Sequence, residues 1–254
     1  MKGAREYDLR HRCHDSAHIL KRWRAVARAA RLEATTLHTT PEGYPVYLFC
    51  TPGHAQGGLY LSAGVHGDEP APVAALIDWA EDNLAVLRRA NACLVPLFNP
   101  SGLGLNTRAD HEGTDLNRNF NNVHHPHTGA WLRAMKGRKF KCGMTLHEDY
   151  DARGVYAYEV SRDPALSTQP FLQEAEKWLP RDSRPRIDGF PAKSGVIKRS
   201  RIPKNLPGLP EALVLFQHHA PASFTFETPS EFSLARRVAA QRAIIDKAFL
   251  LHAR

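Results

Sequence analysis

The strongest constraint on the fold is the repeated pairing of a short apolar run with an amphipathic segment. Leu59-Tyr60-Leu61-Ser62-Ala63, Cys93-Leu94-Val95-Pro96-Leu97-Phe98 and Cys142-Gly143-Met144-Thr145-Leu146 are brief and apolar on both sides, as strands buried on two faces are. Between the first two, Val73, Ala74, Leu76, Ile77, Ala80, Leu84 and Leu87 form one face of a helix, and Asp78, Glu81 and Asp82 part of another. Alternation of this kind implies an α/β fold with a mixed, mostly parallel central sheet and helices on both faces. With 254 residues, 43% hydrophobic and 24% charged, the chain is expected to form one domain over 1–254.

Other segments fill in the frame. Residues 16–32 read as an amphipathic helix with Lys21, Arg22, Arg24, Arg28 and Arg31 on its polar side. Runs 44–50 and 59–63, with Pro52-Gly53 between them, resemble a hairpin. Residues 155–160, 212–216 and 223–226 read as strands, 165–179 as a helix, and the stripe Leu234, Val238, Ile245, Phe249 as a closing helix. The stretch 99–122 reads as a long polar loop; loops of that length in compact domains are usually functional or disordered, and this one, rich in Asn, Asp and Arg rather than low in complexity, reads as functional. Region 181–210 is loop-rich and carries the bases Lys198, Arg199, Arg201 and Lys204.

The net charge of +8 makes anionic partners conceivable. No nucleic-acid motif accompanies it, so the basic surface reads as solvated and no nucleic-acid partner is expected. Cys13, Cys50, Cys93 and Cys142 are widely spaced with no Cys-x-x-Cys pair, and they read as buried thiols. The first twelve residues contain no apolar signal core, and no run is long enough to cross a bilayer. A cytoplasmic placement without membrane contact is expected.

The chemistry gathers where the apolar runs stop. Leu-Ser-Ala-Gly precedes His66, Leu-Phe precedes Asn99, Met-Thr-Leu precedes His147 and Phe-Thr-Phe precedes Glu227. In open α/β sheets ligands bind beyond the carboxyl ends of strands, so these residues are expected to converge on one rim. His66 and Glu69 are two metal-capable side chains on one turn, and His147 is the natural third ligand. Imidazole and carboxylate suit Zn²⁺, whose catalytic sites keep three protein ligands and one open position. Glu112, Glu148 and Glu159 are rival acids, and His124, His125, His127, His218 and His219 rival ligands.

Taken together, His66-Gly67-Asp68-Glu69, Asn99-Pro100-Ser101-Gly102, Thr107-Arg108, Gly113-Thr114-Asp115-Leu116-Asn117-Arg118-Asn119-Phe120, Leu146-His147-Glu148-Asp149 and Phe226-Glu227-Thr228-Pro229 resemble the zinc carboxypeptidases, or funnelins. The likeness is greatest to small bacterial members that include murein peptide amidases. The resemblance implies a zinc-carboxypeptidase-like fold and one Zn²⁺ per chain held by His66, Glu69 and His147. It makes Glu227 the general base and Arg108 the stabiliser of the oxyanion. Asn117 and Arg118 would hold the substrate's terminal carboxylate, and Asp115 would orient the His66 ring. The implied substrate is a small or murein-derived peptide.

The chain also departs from that pattern. Digestive members carry a mobile substrate-binding tyrosine well downstream of the third ligand, whereas no tyrosine here follows Tyr158. Tyr150, Tyr156 and Tyr158 are the ones left to contribute. Two other readings stand beside the peptidase: a deacylase of N-acyl amino acids, as in the aspartoacylase and succinylglutamate desuccinylase group, and a catalytically silent binding domain. Retention of both Glu227 and Arg108 argues against the silent domain.

Overall fold

A computed structural model of the chain describes residues 12–54, 56–202, 206 and 208–253. In chain order the elements are α1 (Ser16–Ala30), β1 (Glu33–Thr39), β2 (Pro45–Cys50), β3 (Gly58–Ala63), α2 (Pro70–Asp82), α3 (Leu84–Leu87), β4 (Ala92–Val95), α4 (Pro100–Leu105), α5 (Pro126–Met135), β5 (Phe140–Asp149), β6 (Tyr156–Ser161), α6 (Gln169–Ala175), β7 (Arg186–Ile187), β8 (Phe190–Pro191), β9 (Val196–Arg199), α7 (Glu211–His218), β10 (Ala222–Pro229) and α8 (Leu234–His252). Eight strands form one sheet in the order β1-β2-β4-β3-β5-β10-β6-β9, while β7 and β8 pair separately. The central strands β4, β3, β5 and β10 run parallel. Antiparallel pairs occur at β1/β2, β2/β4 and β10/β6. This is the mixed, mostly parallel sheet expected from the sequence.

Alternation along the central strands divides the interior in two. Leu59, Leu61 and Ala63 of β3 face a core that includes Trp23, Trp79, Phe171, Phe224 and Phe249, under α1, α2, α6 and α8. Tyr60 faces the other side, with Phe98, Phe120, Trp131 and Leu215, under α5 and α7. Every residue of β3 is buried, which is why its run reads as continuously apolar. Trp79 of α2 stacks on Phe249 of α8 at 4.1 Å between ring centroids and donates its indole N–H to Asp246. Such an aromatic pair adds about 0.5–1.5 kcal/mol beyond the area it buries. Asp15 caps α1 by accepting from the His18 backbone N–H at 2.8 Å. Arg22 leaves the basic face of that helix to bind Asp78 and Glu81 of α2, each at 2.6 Å.

Several local expectations are corrected. Runs 44–50 and 59–63 do not form a hairpin: β4 lies between β2 and β3, and the hairpin partner of β2 is β1. β1 gave no apolar signal because it is an edge strand whose residues are exposed or half-buried. Residues 212–216 are not a strand but the middle of α7, entered from extended Pro210 with Glu211 in the first turn. An apolar run of that length does not by itself separate strand from buried helix. The helix expected over 165–179 shortens to α6, and 99–122 holds α4 and a 3₁₀ turn at Leu116–Arg118. Cys13 and Cys142 are buried thiols as expected. Cys50 and Cys93 instead face each other across β2 and β4, with Cα atoms 4.2 Å apart, and form a disulfide. Residues 1–11 and Lys204 lie outside the described residues.

Candidate metal centre and active site

Parallel register sets the site. Ala63 of β3 pairs with Leu146 of β5, and His147 of β5 pairs with Glu227 of β10, so the three strands deliver their chemistry to one rim. Glu69 occupies the N-cap position of α2 without capping the helix, and Pro70 follows in the first turn, where a missing N–H costs nothing. The Glu69 carboxylate is thereby left to bridge the two histidines. Its Oε1 lies 2.5 Å from His66 Nδ1 and its Oε2 2.9 Å from His147 Nδ1. The ligand atoms of His66, Glu69 and His147 all fall within 4.8 Å of one another, and the residues are only 2–3% exposed.

Close backbone approach holds this turn in place. A Cβ at Gly67 would sit 1.9 Å from the carbonyl carbon of Gly102, and Gly67 N–H donates to Thr107 O at 3.0 Å. The turn therefore rests on α4, whose cap Asn99 accepts from Gly102 N–H at 2.9 Å. That gives the Asn-Pro-Ser-Gly segment a structural task.

Electrostatically the cluster is shaped for a cation. Burial lowers the His66 imidazole, but the Glu69 charge and hydrogen bonds to Asp115 and Glu69 outweigh it and leave the ring up at about 9. Burial opposes ionisation of Glu69 too, yet the two imidazoles hold its carboxyl below the usual range. Asp115, with Oδ1 3.3 Å from His66 Nε2, is held low against burial by that contact and by Arg108 and Arg118. Glu227 is pushed well above the ordinary carboxylate range by burial, with Glu69 and Asp149 adding to it against His147 and Arg108. Its Oε2 is enclosed with no hydrogen-bond partner among the described residues. Two imidazoles and one carboxylate are a donor set that suits zinc, and the carboxylate on the second nitrogen of His66 is the usual support for a metal-bound ring. The residues fit the ion.

His66, Glu69, His147 and Glu227 share a cavity of about 480 Å³ with Arg108, Asn117 and Arg118. Asp115 Oδ2 accepts from Arg108 Nε at 3.0 Å. Asn117 Oδ1 accepts from the Glu211 backbone N–H at 3.0 Å, and Arg118 Nη1 donates to Asn117 O at 2.9 Å. A Cβ at Gly208 would lie 1.9 Å from Arg118 O, so that segment lies directly on the arginine. Of the rival acids, Glu148 is bound by Arg237 at 2.5 Å and by Ala71 N–H at 2.8 Å. Glu159 is engaged by Thr168 N–H at 2.8 Å and by Lys198 at 2.9 Å. Tyr156 and Tyr158 line the cavity, with their hydroxyls donating to Asp149 and Asp188; Tyr150 donates to Asp68 O. The sequence reading missed Phe190 and gave Arg199 no place in the site, yet both line the same space. It also missed Glu211, whose buried carboxyl accepts from Tyr60 at 2.5 Å and Ser62 at 2.7 Å and is pushed up to about 7 by burial. No motif marks these three.

Comparison with known proteins bears on the family and the fold. Residues 55–141 match the model of the succinylglutamate desuccinylase/aspartoacylase catalytic domain. Murein peptide amidase A of Escherichia coli is 37% identical over 78 residues, a stretch covering 31% of this chain and 31% of that protein. Among solved structures, a candidate metallopeptidase from Shewanella baltica superposes with a TM-score of 0.80 at 23% identity, covering 95% of this chain and 94% of its own. A metallo-carboxypeptidase from Burkholderia cenocepacia gives 0.62 at 19% identity, over 91% of this chain and 67% of that one. The fold is zinc-carboxypeptidase-like, as the motifs implied, and the proteins it resembles are metallocarboxypeptidase- and amidase-like enzymes.

Proposed function

We propose that this zinc-carboxypeptidase-like chain is a single-domain, zinc-dependent metallocarboxypeptidase that hydrolyses a peptide bond next to a free carboxylate, in a small or murein-derived peptide. The observation that carries the reading is the meeting of three metal-capable residues, one unpartnered acid and two arginines on one cavity. When bound, zinc lowers the pKa of water toward about 7 and polarises a carbonyl oxygen. Glu227, with the charges of His147 and Arg108 opposing the effect of burial on its carboxyl, would accept a proton from the attacking water and return it to the leaving amine. Asp115 keeps the His66 ring turned with Nδ1 toward Glu69 and Nε2 toward itself. Arg108 places a fixed positive charge where the tetrahedral oxygen develops. Arg118, with Asn117 beside it, offers a planar fork to the terminal carboxylate.

The test compares free-acid peptides with their amides. A strong preference for acids is expected, and equal use of both forms sinks the carboxypeptidase assignment. The match over 55–141 favours a second reading, deacylation of an N-acyl amino acid. N-acyl amino acids and peptides assayed side by side separate the two. No described helix is long and apolar enough to cross a membrane. The cytoplasmic setting expected from sequence and the Cys50–Cys93 disulfide pull apart, since cytosolic thiols are usually kept reduced. Thiol titration of freshly isolated protein decides between them.

A further inference from the structure

On the far side of the loop that carries Arg108 and Asp115, five ionisable side chains meet outside the substrate cavity. They are His38 of β1, Asp110 and His111 of the loop, and His125 and His127 at the start of α5. Asp110 and His127 are 5% and 2% exposed. Asp110 Oδ1 accepts from the backbone N–H groups of Glu112 at 3.0 Å and Thr114 at 2.9 Å, which fixes the carboxylate and leaves Oδ2 to the histidines. That oxygen lies 3.7 Å from His127 Nδ1 and 3.9 Å from His125 Nε2.

These separations are too long for hydrogen bonds. They are close to the roughly 3.3 Å between neighbouring ligands of a tetrahedral ion with bonds of about 2.0–2.1 Å. His111 Nδ1, both ring nitrogens of His125 and His127 Nε2 are enclosed without a hydrogen-bond partner among the described residues. Buried polar groups left in that condition are costly and call for an explanation. The rings of His125 and His111 lie 5.9 and 6.4 Å from that of His127, and His38 packs edge-on against His127 at 4.3 Å.

We propose that Asp110, His125, His127 and His111 form a second, structural site for a divalent transition ion of the zinc class. Its ligand atoms are less gathered than those of the first cluster, the only trio among the described residues lying within 4.8 Å. Neither nitrogen of the His125 ring holds a hydrogen bond, so a turn of that ring toward the others would break none. The site ties the loop bearing Arg108 and Asp115 to the N-terminus of α5, with His38 backing it from β1. It stands independently of the catalytic reading, and it raises the metal content to two ions per chain.

Elemental analysis after exhaustive dialysis tests it. Wild type is expected to hold about two zinc ions per chain, and His66→Ala/His147→Ala and His125→Ala/His127→Ala about one each. A His66→Ala/His147→Ala protein without metal overturns the proposal, as does wild-type content in the other pair. Should the His125→Ala/His127→Ala protein fail to fold, the His66→Ala/His147→Ala protein still decides. Added Co²⁺ is expected to give it the absorption bands of a four-coordinate ion. Zn²⁺ at a hundredfold excess over Kd is expected to raise its Tm by about 5 °C or more. Absence of both effects overturns the site.

Discussion

The wall of the cavity proposed to hold the metal and the wall proposed to face the substrate are built in different ways. His66, Glu69 and His147 are nearly sealed and inherit their positions from the register of β3, β5 and β10. Arg108, Asn117 and Arg118 come from one irregular stretch, and the Arg108 side chain is 47% exposed. A sheet fixes geometry closely but offers few ways to change it, whereas a loop changes without disturbing the sheet. On the proposed reading the chemistry sits on the wall fixed by the sheet and substrate choice on the wall made by the loop.

The largest effect that would break this division comes from the buried wall. His147→Ala is expected to reduce hydrolysis to background and to remove the catalytic zinc, read by metal analysis; retained activity would mean the triad is not the centre. Glu227→Gln keeps the shape of β10 but removes a proton acceptor, so turnover should fall by about two to four orders of magnitude with zinc content unchanged. Near-normal turnover would move the base elsewhere. On the exposed wall the effect should be smaller and selective. Arg118→Ala is expected to lower kcat/KM for free-acid peptides about ten- to a hundredfold while sparing amides, and an equal loss on both forms would leave the arginine no role in recognition.

The effect expected to leave turnover aside and read only in stability concerns Glu211, which joins the walls: its carboxyl is held by Tyr60 and Ser62 of β3 and its backbone by Asn117. Its folded pKa, up at about 7 from an ordinary 4.5, means that the folded chain holds this proton where the unfolded chain has released it. The contribution to stability is therefore full below pH 4.5 or so and is lost as pH rises through 7, by about 2–4 kcal/mol. Urea midpoints with chelator at pH 5 and 8 should show this loss in wild type and less of it in Glu211→Gln. Parallel behaviour of the two proteins would refute the linkage.

The same contrast explains what the sequence revealed. The residues of the buried wall stand at the ends of apolar runs, so the pattern that marks the core also points to His66, His147 and Glu227. The exposed wall was legible only through motif resemblance, because a loop carries no periodicity. Glu211 and Phe190 were invisible and Arg199 stood out only as one base of a run, all three being brought in by segments whose path no local pattern sets. The disulfide was missed for a related reason: Cys50 and Cys93 are 43 residues apart, and only the insertion of β4 beside β2 makes them neighbours. His125 and His127 were noticed singly, but their meeting with Asp110 depends on how a loop folds back over α5.

The position of β10 has a consequence for how the chain is made. It is the last of the described strands in chain order, yet it lies inside the sheet between β5 and β6, and Glu227 rides on it. Until residue 229 has left the ribosome, the edges of β5 and β6 stand open to any passing strand. On the proposed reading the residues of the metal triad are therefore made before the acid that works with them, and the cavity is complete only once β10 has inserted between β5 and β6.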